Sequence, residues 1–437
     1  MTAYYFRLAL KSIRRNPLLT GLMVGAIALG IGVSMTTLTL YYVMSSNPLP
    51  FKGEQVFAVQ FDTWDEDDPY DNREGGSPPP QLTYRDAAAL MTSDIPTHQA
   101  TMLHRGFVMK KNIEAQTEHA SARATYGDFF PMFDVPFQFG SGWDRTADAD
   151  AARVVVLSAE TNNRLFGGEN SVGETIILDG ETYDIVGVLD HWRPSPLFYD
   201  LNVGAFGDTE DVFIPFMVPI SLEYGAHGNT NCWKPEVIDS YQDFLQSECV
   251  WVQHWVQLDN AEQKATFQSF MDGYALEQRE LGRFQRPLDN RLNDVMGWME
   301  YREVVSDDNR LLLVLSLMFL LICLLNTVGL MLAKFINRAP LVGVRRALGA
   351  SRWDVIQQHG VEVMLIGAIG GLAGLGLAYL GLLAVRSWYR NYEYLAQLDP
   401  VMVLTAIAIA IGSALVAGLY PTWRISRIQP AVHLKAQ

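Results

Sequence analysis

The sequence predicts a membrane α-helical protein with four transmembrane helices and an α+β extracytoplasmic domain inserted between helices 1 and 2. Three observations carry this: four long apolar runs, a bias of basic residues in the short segments flanking them, and one long acidic stretch between the first run and the second. Bulk composition conceals the class, because 49% apolar residues over 437 positions sits near the globular average. The placement of those residues decides it.

Residues 18–43, 311–333, 361–385 and 401–421 each supply the roughly 20 nearly uncharged residues that a hydrocarbon core about 30 Å thick requires. Glu362, at the edge of the third run, is their only acid, so the spans are expected to hold no buried ion pair of the kind transporters use. A buried helix of a soluble protein imitates one such run, but not four flanked by charge. The first run follows Arg7, Lys11, Arg14 and Arg15 as a signal peptide would. It is far longer than the roughly 7 to 15 residues of a signal core, and no small-x-small site follows before Asn47-Pro48-Leu49-Pro50. It is read as an uncleaved anchor.

Orientation follows from the basic residues. Residues 1–17, an amphipathic N-terminal helix, carry those four cations, and the segment 334–360 opens with Lys334, Arg338, Arg345, Arg346 and Arg352. The tail 422–437 adds Arg424, Arg427 and Lys435. The positive-inside rule places all three segments, and both termini, in the cytoplasm. Residues 44–310 and the short loop 386–400 then lie outside, where Trp388, Tyr389, Tyr392 and Tyr394 form an interfacial aromatic belt. Nearly all the acidic excess behind the formal charge of -15 falls in the outer domain, which keeps it soluble and excludes nucleic acid as a partner.

The outer domain reads as two subdomains with a stalk. Residues 62–80 (DTWDEDDPYDNREGGSPPP) are acidic and rich in Gly and Pro, and form a solvated loop without the glycine and terminal Glu of a calcium loop. From Gln81 to about Trp143 the chain begins helically; RVVVLS at 153–158 is a strand followed by a helix. Residues 173–189 alternate around Asp179-Gly180, the turn of a hairpin. Residues 257–309 have polar helical spacing and are expected to form one connecting helix into the second span. Cys232 and Cys249 both fall in this domain, Cys323 in the second span. In an oxidising compartment the first two pair as a disulfide; the alternative is two buried free thiols, and their spacing does not choose.

Catalytic patterns are missing. There is no G-x-x-x-x-G-K-[ST] loop to cradle phosphate, no H-E-x-x-H and no G-x-S-x-G. His98, His104, His119, His191, His227, His254, His359 and His433 lack ligand spacing and are read as packing or surface residues, so no metal and no cofactor is expected in this chain. It is expected to be non-catalytic.

Three stretches carry a family resemblance. Residues 153–189 (RVVVLSAETNNRLFGGENSVGETIILDGETYDIVGVL) and 211–215 (DVFIP) resemble the periplasmic core domain of MacB/FtsX-like permeases, the membrane subunits of ABC systems that work by mechanotransmission. Residues 343–352 (GVRRALGASR) are similar to that family's coupling helix, which lies in a groove of the ATPase; 418–434 (GLYPTWRISRIQPAVHL) resembles its terminal turn and tail. The basic N-terminal helix (LALKSIRRNP) completes the likeness. The resemblance implies a separate ABC ATPase that binds ATP and Mg, a second copy or a homologous permease as dimer partner, and a periplasmic membrane-fusion adaptor with an outer-membrane channel, all at the bacterial inner membrane. It assigns coupling to Gly343, Val344, Arg345, Arg346, Ala347, Leu348, Gly349 and Arg352. The function implied is ATPase-driven motion that expels substrate from the periplasm. Lipoprotein release and FtsX-like regulation of a cell-wall hydrolase are the alternatives, and about 265 outer residues suit a substrate chamber better than a small regulator. One departure stands out: Leu341, after Pro340, replaces the acid that opens the family's coupling segment.

Residue chemistry supports coupling independently. Arg345, Arg346 and Arg352, with Val342, Val344, Ala347 and Leu348, present both cations and apolar area to an acidic partner; the alternative is that the arginines only set topology. Gly367, Gly370, Gly371 and Gly374 in the third span permit close helix approach, and Asn326 is a packing residue able to bond across helices.

Overall fold

A computed structural model describes residues 2–71, 76–225, 228–388 and 400–427. Tyr389, Tyr392 and Tyr394 of the outer loop, and the tail from residue 428 with Lys435, lie outside the described residues. The chain divides into two units, Met1–Ser45 with Val305–Gln437, and Ser46–Val304. It opens with α1 (Thr2–Arg15) and α2 (Pro17–Ser45).

The unit Ser46–Val304 is built on ten strands among the described residues: β1 (Val56–Gln60), β2 (His98–Lys110), β3 (Glu118–Thr125), β4 (Phe137–Gly140), β5 (Val154–Leu157), β6 (Thr175–Leu178), β7 (Glu181–Leu189), β8 (Val212–Pro215), β9 (Gln253–Gln257) and β10 (Arg291–Asp294). They run in the order β10-β1-β9-β2-β3-β8-β5-β7-β4, with β6 against β2 and β7. The connections carry α3 (Tyr84–Leu90), α4 (Phe129–Met132), α5 (Arg145–Ala149), α6 (Ala159–Phe166), α7 (Met217–Ser221), α8 (Tyr241–Gln246), α9 (Ala261–Glu280) and α10 (Val295–Tyr301).

Successive residues of a strand face opposite ways, and here both faces are buried. Val155, Leu157, Val212 and Ile214 enter one core with Phe57 and Val59, whereas Val156 and Phe213 enter the other with Val56 and Ala58. This is why RVVVLS and DVFIP are continuous apolar runs without alternation. It also corrects the expected division into two subdomains. The long β2 pairs β9 through His98–Met102 and β3 through Leu103–Met109, so a single sheet crosses the whole unit and the two cores are its two faces.

The hairpin forms where the sequence places it. Asp179 and Gly180 both take positive φ, 49° and 92°, and β6 and β7 close at Leu178↔Glu181. Two other expectations need correction. The single connecting helix over 257–309 is broken: α9 stops before Gly282, whose φ is +87°, and the chain returns as β10 to pair with β1, then forms α10. The free backbone groups along one side of β1 outweigh helical propensity. The described residues of the acidic segment 62–80 are irregular, but its ends are buried instead of solvated. Arg286 Nε lies 2.8 Å from Asp62, and Gln60 Nε2 donates to the carbonyls of Pro78 and Pro79, 3.1 Å each. Prolines offer acceptors without donors, so side chains must supply the bonds that ladder N–H groups cannot reach.

His254 on β9 is fully buried with Nδ1 2.9 Å from Thr101 Oγ1, and burial lowers its pKa to about 3. The folded unit keeps it neutral while the unfolded chain takes up a proton near 6.5, so its contribution is complete above that pH and is lost as pH falls toward 3. Burial moves Asp148 the other way, up to about 6, so the folded state binds a proton there first and acid favours folding. The histidine shift is the larger. The melting temperature of the full chain in detergent, read by tryptophan fluorescence, is expected to fall between about pH 6.5 and 4, with His254→Gln flattening that slope. An unchanged slope in the variant would place the acid sensitivity elsewhere.

The other unit is helical: α2 is joined by α11 (Asp307–Ile336), α12 (Ala339–Ala347), α13 (Arg352–Trp388) and α14 (Pro400–Ser426). Of these α2, α11, α13 and α14 are long and apolar enough to cross a membrane, as the hydropathy pattern predicts. Met23, Ile27, Ile31 and Met35 of α2 pack with Leu320 and Met331 of α11 and with Val363, Ile366 and Ala378 of α13. The outer side of α11 leaves Leu312, Leu315, Met318 and Leu325 exposed, a surface suited to lipid and not to water.

Candidate coupling site

α12 is a short helix set between two breaks. α11 ends at Asn337 and Arg338, and Pro340 occupies the first turn of α12, where its missing N–H costs nothing. At the other end Gly349 adopts φ +105° and its N–H bonds to Arg346 O at 3.1 Å, a left-handed cap. Ser351 then caps α13: Asp354 N donates to Ser351 Oγ at 3.2 Å, and Ser351 N to Asp354 Oδ2 at 2.9 Å.

The helix has two faces. Ala339, Val342 and Gly343 are buried against the bundle, while Leu341, Val344, Leu348 and, beyond the cap, Trp353 are exposed, by 61%, 45%, 83% and 63%. Positions 341, 344 and 348 recur at helical spacing and form one apolar stripe. Ala347, Gly349 and Arg352 are also exposed. The two central arginines are placed differently from expectation. Arg345 donates to Gln358 Oε1 on α13, and Arg346 Nη1 to the carbonyl of Ser426 on α14, 3.3 Å away. They brace α12 from within, so the surface on offer is mainly apolar, with Arg352 at its border. Leu341 begins this stripe.

Beneath α12 lies a cluster that sequence reasoning missed. Glu362 on α13 is buried, with Lys334 Nζ of α11 at 2.8 Å, Arg338 Nη1 at 3.7 Å and His359 Nδ1 at 3.7 Å. Ser12 of α1 donates its hydroxyl to the same carboxylate and accepts from Arg338, which also reaches Ser12 O at 3.3 Å. Lys334 further donates to Thr20 of α2 at 3.1 Å. The expectation of no buried ion pair in the spans is therefore wrong, and Lys334 and Arg338 do more than set topology. The available signal was a lone acid at the edge of an apolar run, one turn after a histidine, with a lysine closing the preceding run.

The four glycines serve two seams. A Cβ at Gly370 would stand 2.8 Å from Ile27 Cγ2 and one at Gly374 2.9 Å from Ile31 Cβ, both on α2. Gly367 and Gly371 instead line a groove with Ile407, Ile411 and Leu415 of α14. Matching glycines on α2 were missed: a Cβ at Gly30 would lie 2.9 Å from Leu320, and one at Gly32 2.8 Å from Leu377 Cβ. In the other unit Cys232 and Cys249 are joined by a disulfide beside the Asn231↔Val250 bridge, and Cys323 is free and buried.

Four helices of the chain are long and apolar enough to cross a membrane, a short helix braced through Arg345 and Arg346 lies between the second and third, and the chain also carries an α+β unit. The chain belongs to the MacB/FtsX-like family of ABC transporter permeases: the family described as MacB-like periplasmic core domain matches residues 20–269, and FtsX-like permease C-terminal matches residues 313–430. Among curated relatives, the macrolide export ATP-binding/permease protein MacB of Rhodospirillum rubrum is 24% identical over 75% of this chain and 46% of its own length. That of Azoarcus sp. is 22% identical over 84% of this chain and 50% of its own. The chain thus spans about half the length of the curated relatives it matches. Among solved structures, the periplasmic region of MacB from Actinobacillus actinomycetemcomitans is 13% identical with a TM-score of 0.36, covering 57% of this chain and 94% of that one.

Proposed function

We propose that this chain is the permease subunit of an ABC-type tripartite export system. It sits in the bacterial inner membrane with both termini cytoplasmic, and the unit Ser46–Val304 lies in the periplasm between the first and second spans. A separate ABC ATPase, holding ATP and Mg, docks on α12. Two permeases, identical or homologous, work as a dimer, and the periplasmic units move to expel substrate through an adaptor and an outer-membrane channel. The permease itself does not hydrolyse ATP.

The observation that carries this reading is the exposed stripe Leu341, Val344, Leu348 and Trp353 on a helix braced by Arg345 and Arg346. An apolar ridge held rigidly at a bundle end fits a partner's groove, and the anchors of such an interface lie among large side chains at its centre. The curated relatives named above combine ATP-binding and permease functions in one protein named for macrolide export, which supports an ATPase partner and an export role here.

The double variant Val344→Asp/Leu348→Asp tests it. Both positions point away from the bundle, so membrane amount and melting temperature are expected to stay at wild-type level, while co-purification of the partner ABC ATPase drops at least tenfold. Two exposed hot-spot positions that docking would bury, lost together, amount to more than about 1.4 kcal/mol, the energy of that factor. Undiminished ATPase capture would reject α12 as the docking element. Reversing Arg345 and Arg346 is a poorer probe, since it also breaks their bonds to Gln358 and Ser426.

A further inference from the structure

We infer that Glu362 is the joint that locks α1 and α12 onto the membrane bundle as one rigid body, so that force applied to α12 reaches α2 and α13. This deepens the proposed coupling role and names a positioning residue within it.

α12 hangs from α11 by a two-residue turn at Asn337 and Arg338. A lever attached only there would pivot at the turn, and displacement of its exposed ridge would be lost in hinge motion. Arg345 and Arg346 hold its far end to α13 and α14, and the Glu362 carboxylate fixes the near end at the turn. It binds Lys334 at the end of α11, Arg338 in the turn itself and Ser12 on α1. The same cations reach further, Lys334 to Thr20 on α2 and Arg338 to the Ser12 carbonyl. One acid therefore ties α1, α2, α11 and the turn to α13. Tyr5, Ala9 and Ser12 form the buried stripe of α1, and Tyr5 OH donates to Asp354 of α13 at 3.4 Å, so the same helix is held at a second point.

Packing alone does not require a charge here. An apolar side chain would fill the site without desolvating a carboxylate, and buried pairs replaced by well-packed apolar residues often lose no stability. What the charge adds is direction: the hydrogen bonds that Lys334 and Ser12 give the carboxylate weaken steeply once their geometry is lost, whereas apolar contacts tolerate sliding. His359, buried one turn before Glu362 against the Phe335 ring at 4.5 Å, closes the remaining side and keeps the cluster from water.

The test uses the full-length permease in nanodiscs, spin-labelled at Lys11 and Leu348, both exposed, with distances read by pulsed electron resonance. The otherwise wild-type chain is expected to give one narrow distance distribution. Glu362→Gln is expected to broaden or split it, and so is the apolar pair Lys334→Met/Glu362→Leu, which keeps the site filled and its melting temperature near that of the parent. Distributions as narrow as the parent's in the apolar pair would overturn the inference, even if Glu362→Gln fails to accumulate. Neither reading on the isolated chain depends on the ATPase docking at α12, so a failure here and a failure of the docking proposal are separable.

Discussion

Gly374→Leu is expected to abolish assembly of the helix bundle. A Cβ at this position would stand 2.9 Å from Ile31 Cβ and 3.1 Å from Ala28 O on α2, well inside the roughly 3.5 to 4.0 Å that non-bonded carbons keep. Leucine adds three further carbons beyond that Cβ, and one of the obstructing atoms is backbone, which cannot rotate away. The helices must separate. Separation also breaks the neighbouring close approaches, Gly32 against Leu377 and Gly381 against Thr36, so the cost exceeds the 1 to 3 kcal/mol of ordinary overpacking and reaches about 4 kcal/mol or more. Gly376, two residues on, has nothing within 4 Å, and Gly376→Leu is expected to be tolerated. Size-exclusion profiles of the two variants in mild detergent separate the outcomes. A monodisperse Gly374→Leu protein at parental yield would show that this seam is not close-packed.

Arg123→Met is expected to unfold the unit Ser46–Val304. Arg123 on β3 is fully buried between two carboxylates, with Nη1 2.6 Å from Asp200 Oδ2 and Nε 2.9 Å from Glu210 Oε1. Burial alone would lower its pKa, but Glu210 and Asp200 more than offset that and hold it charged. The acids are completed by neutral donors: Tyr199 OH reaches Glu210 Oε2 at 2.8 Å and Gln253 Nε2 reaches Asp200 Oδ1 at 3.0 Å. Removing the guanidinium leaves two desolvated carboxylates facing each other without their cation. Breaking a buried pair costs about 3 to 5 kcal/mol, and here two pairs go at once, against a total stability on the order of 5 to 15 kcal/mol for a domain. Arg145→Met, at a side chain 77% exposed, is the control and is expected to change stability by less than about 0.5 kcal/mol. Chemical denaturation followed by tryptophan fluorescence decides. A midpoint for Arg123→Met equal to that of Arg145→Met would refute the role of the triad.

The amino-acid sequence by itself determined the elements whose signals are local. Four bilayer-length helices follow from run length, because each must satisfy its own backbone groups in an apolar medium wherever its neighbours lie. The 175–189 hairpin follows from Asp179-Gly180, and α6 from the capping Ser158 and the left-handed Gly167. The glycines of the third span announce close approach.

Everything that depends on which distant segment arrives as neighbour was decided by the tertiary structure. Apolar strands read the same whether they build two subdomains or one sheet buried on both faces, and only the pairing of β2 with β9 and with β3 chose the latter. A charge beside a span reads as a topology signal until the fold brings its partner. Lys334 and Glu362 are far apart in sequence and 2.8 Å apart in space, and Arg345 turns inward because Gln358 is there to accept it. The physical reason is that sequence periodicity reports which face of an element is apolar, whereas the energy of a charged or polar side chain is set by groups only a few ångströms away, and those are supplied by chain folding rather than by neighbours in sequence.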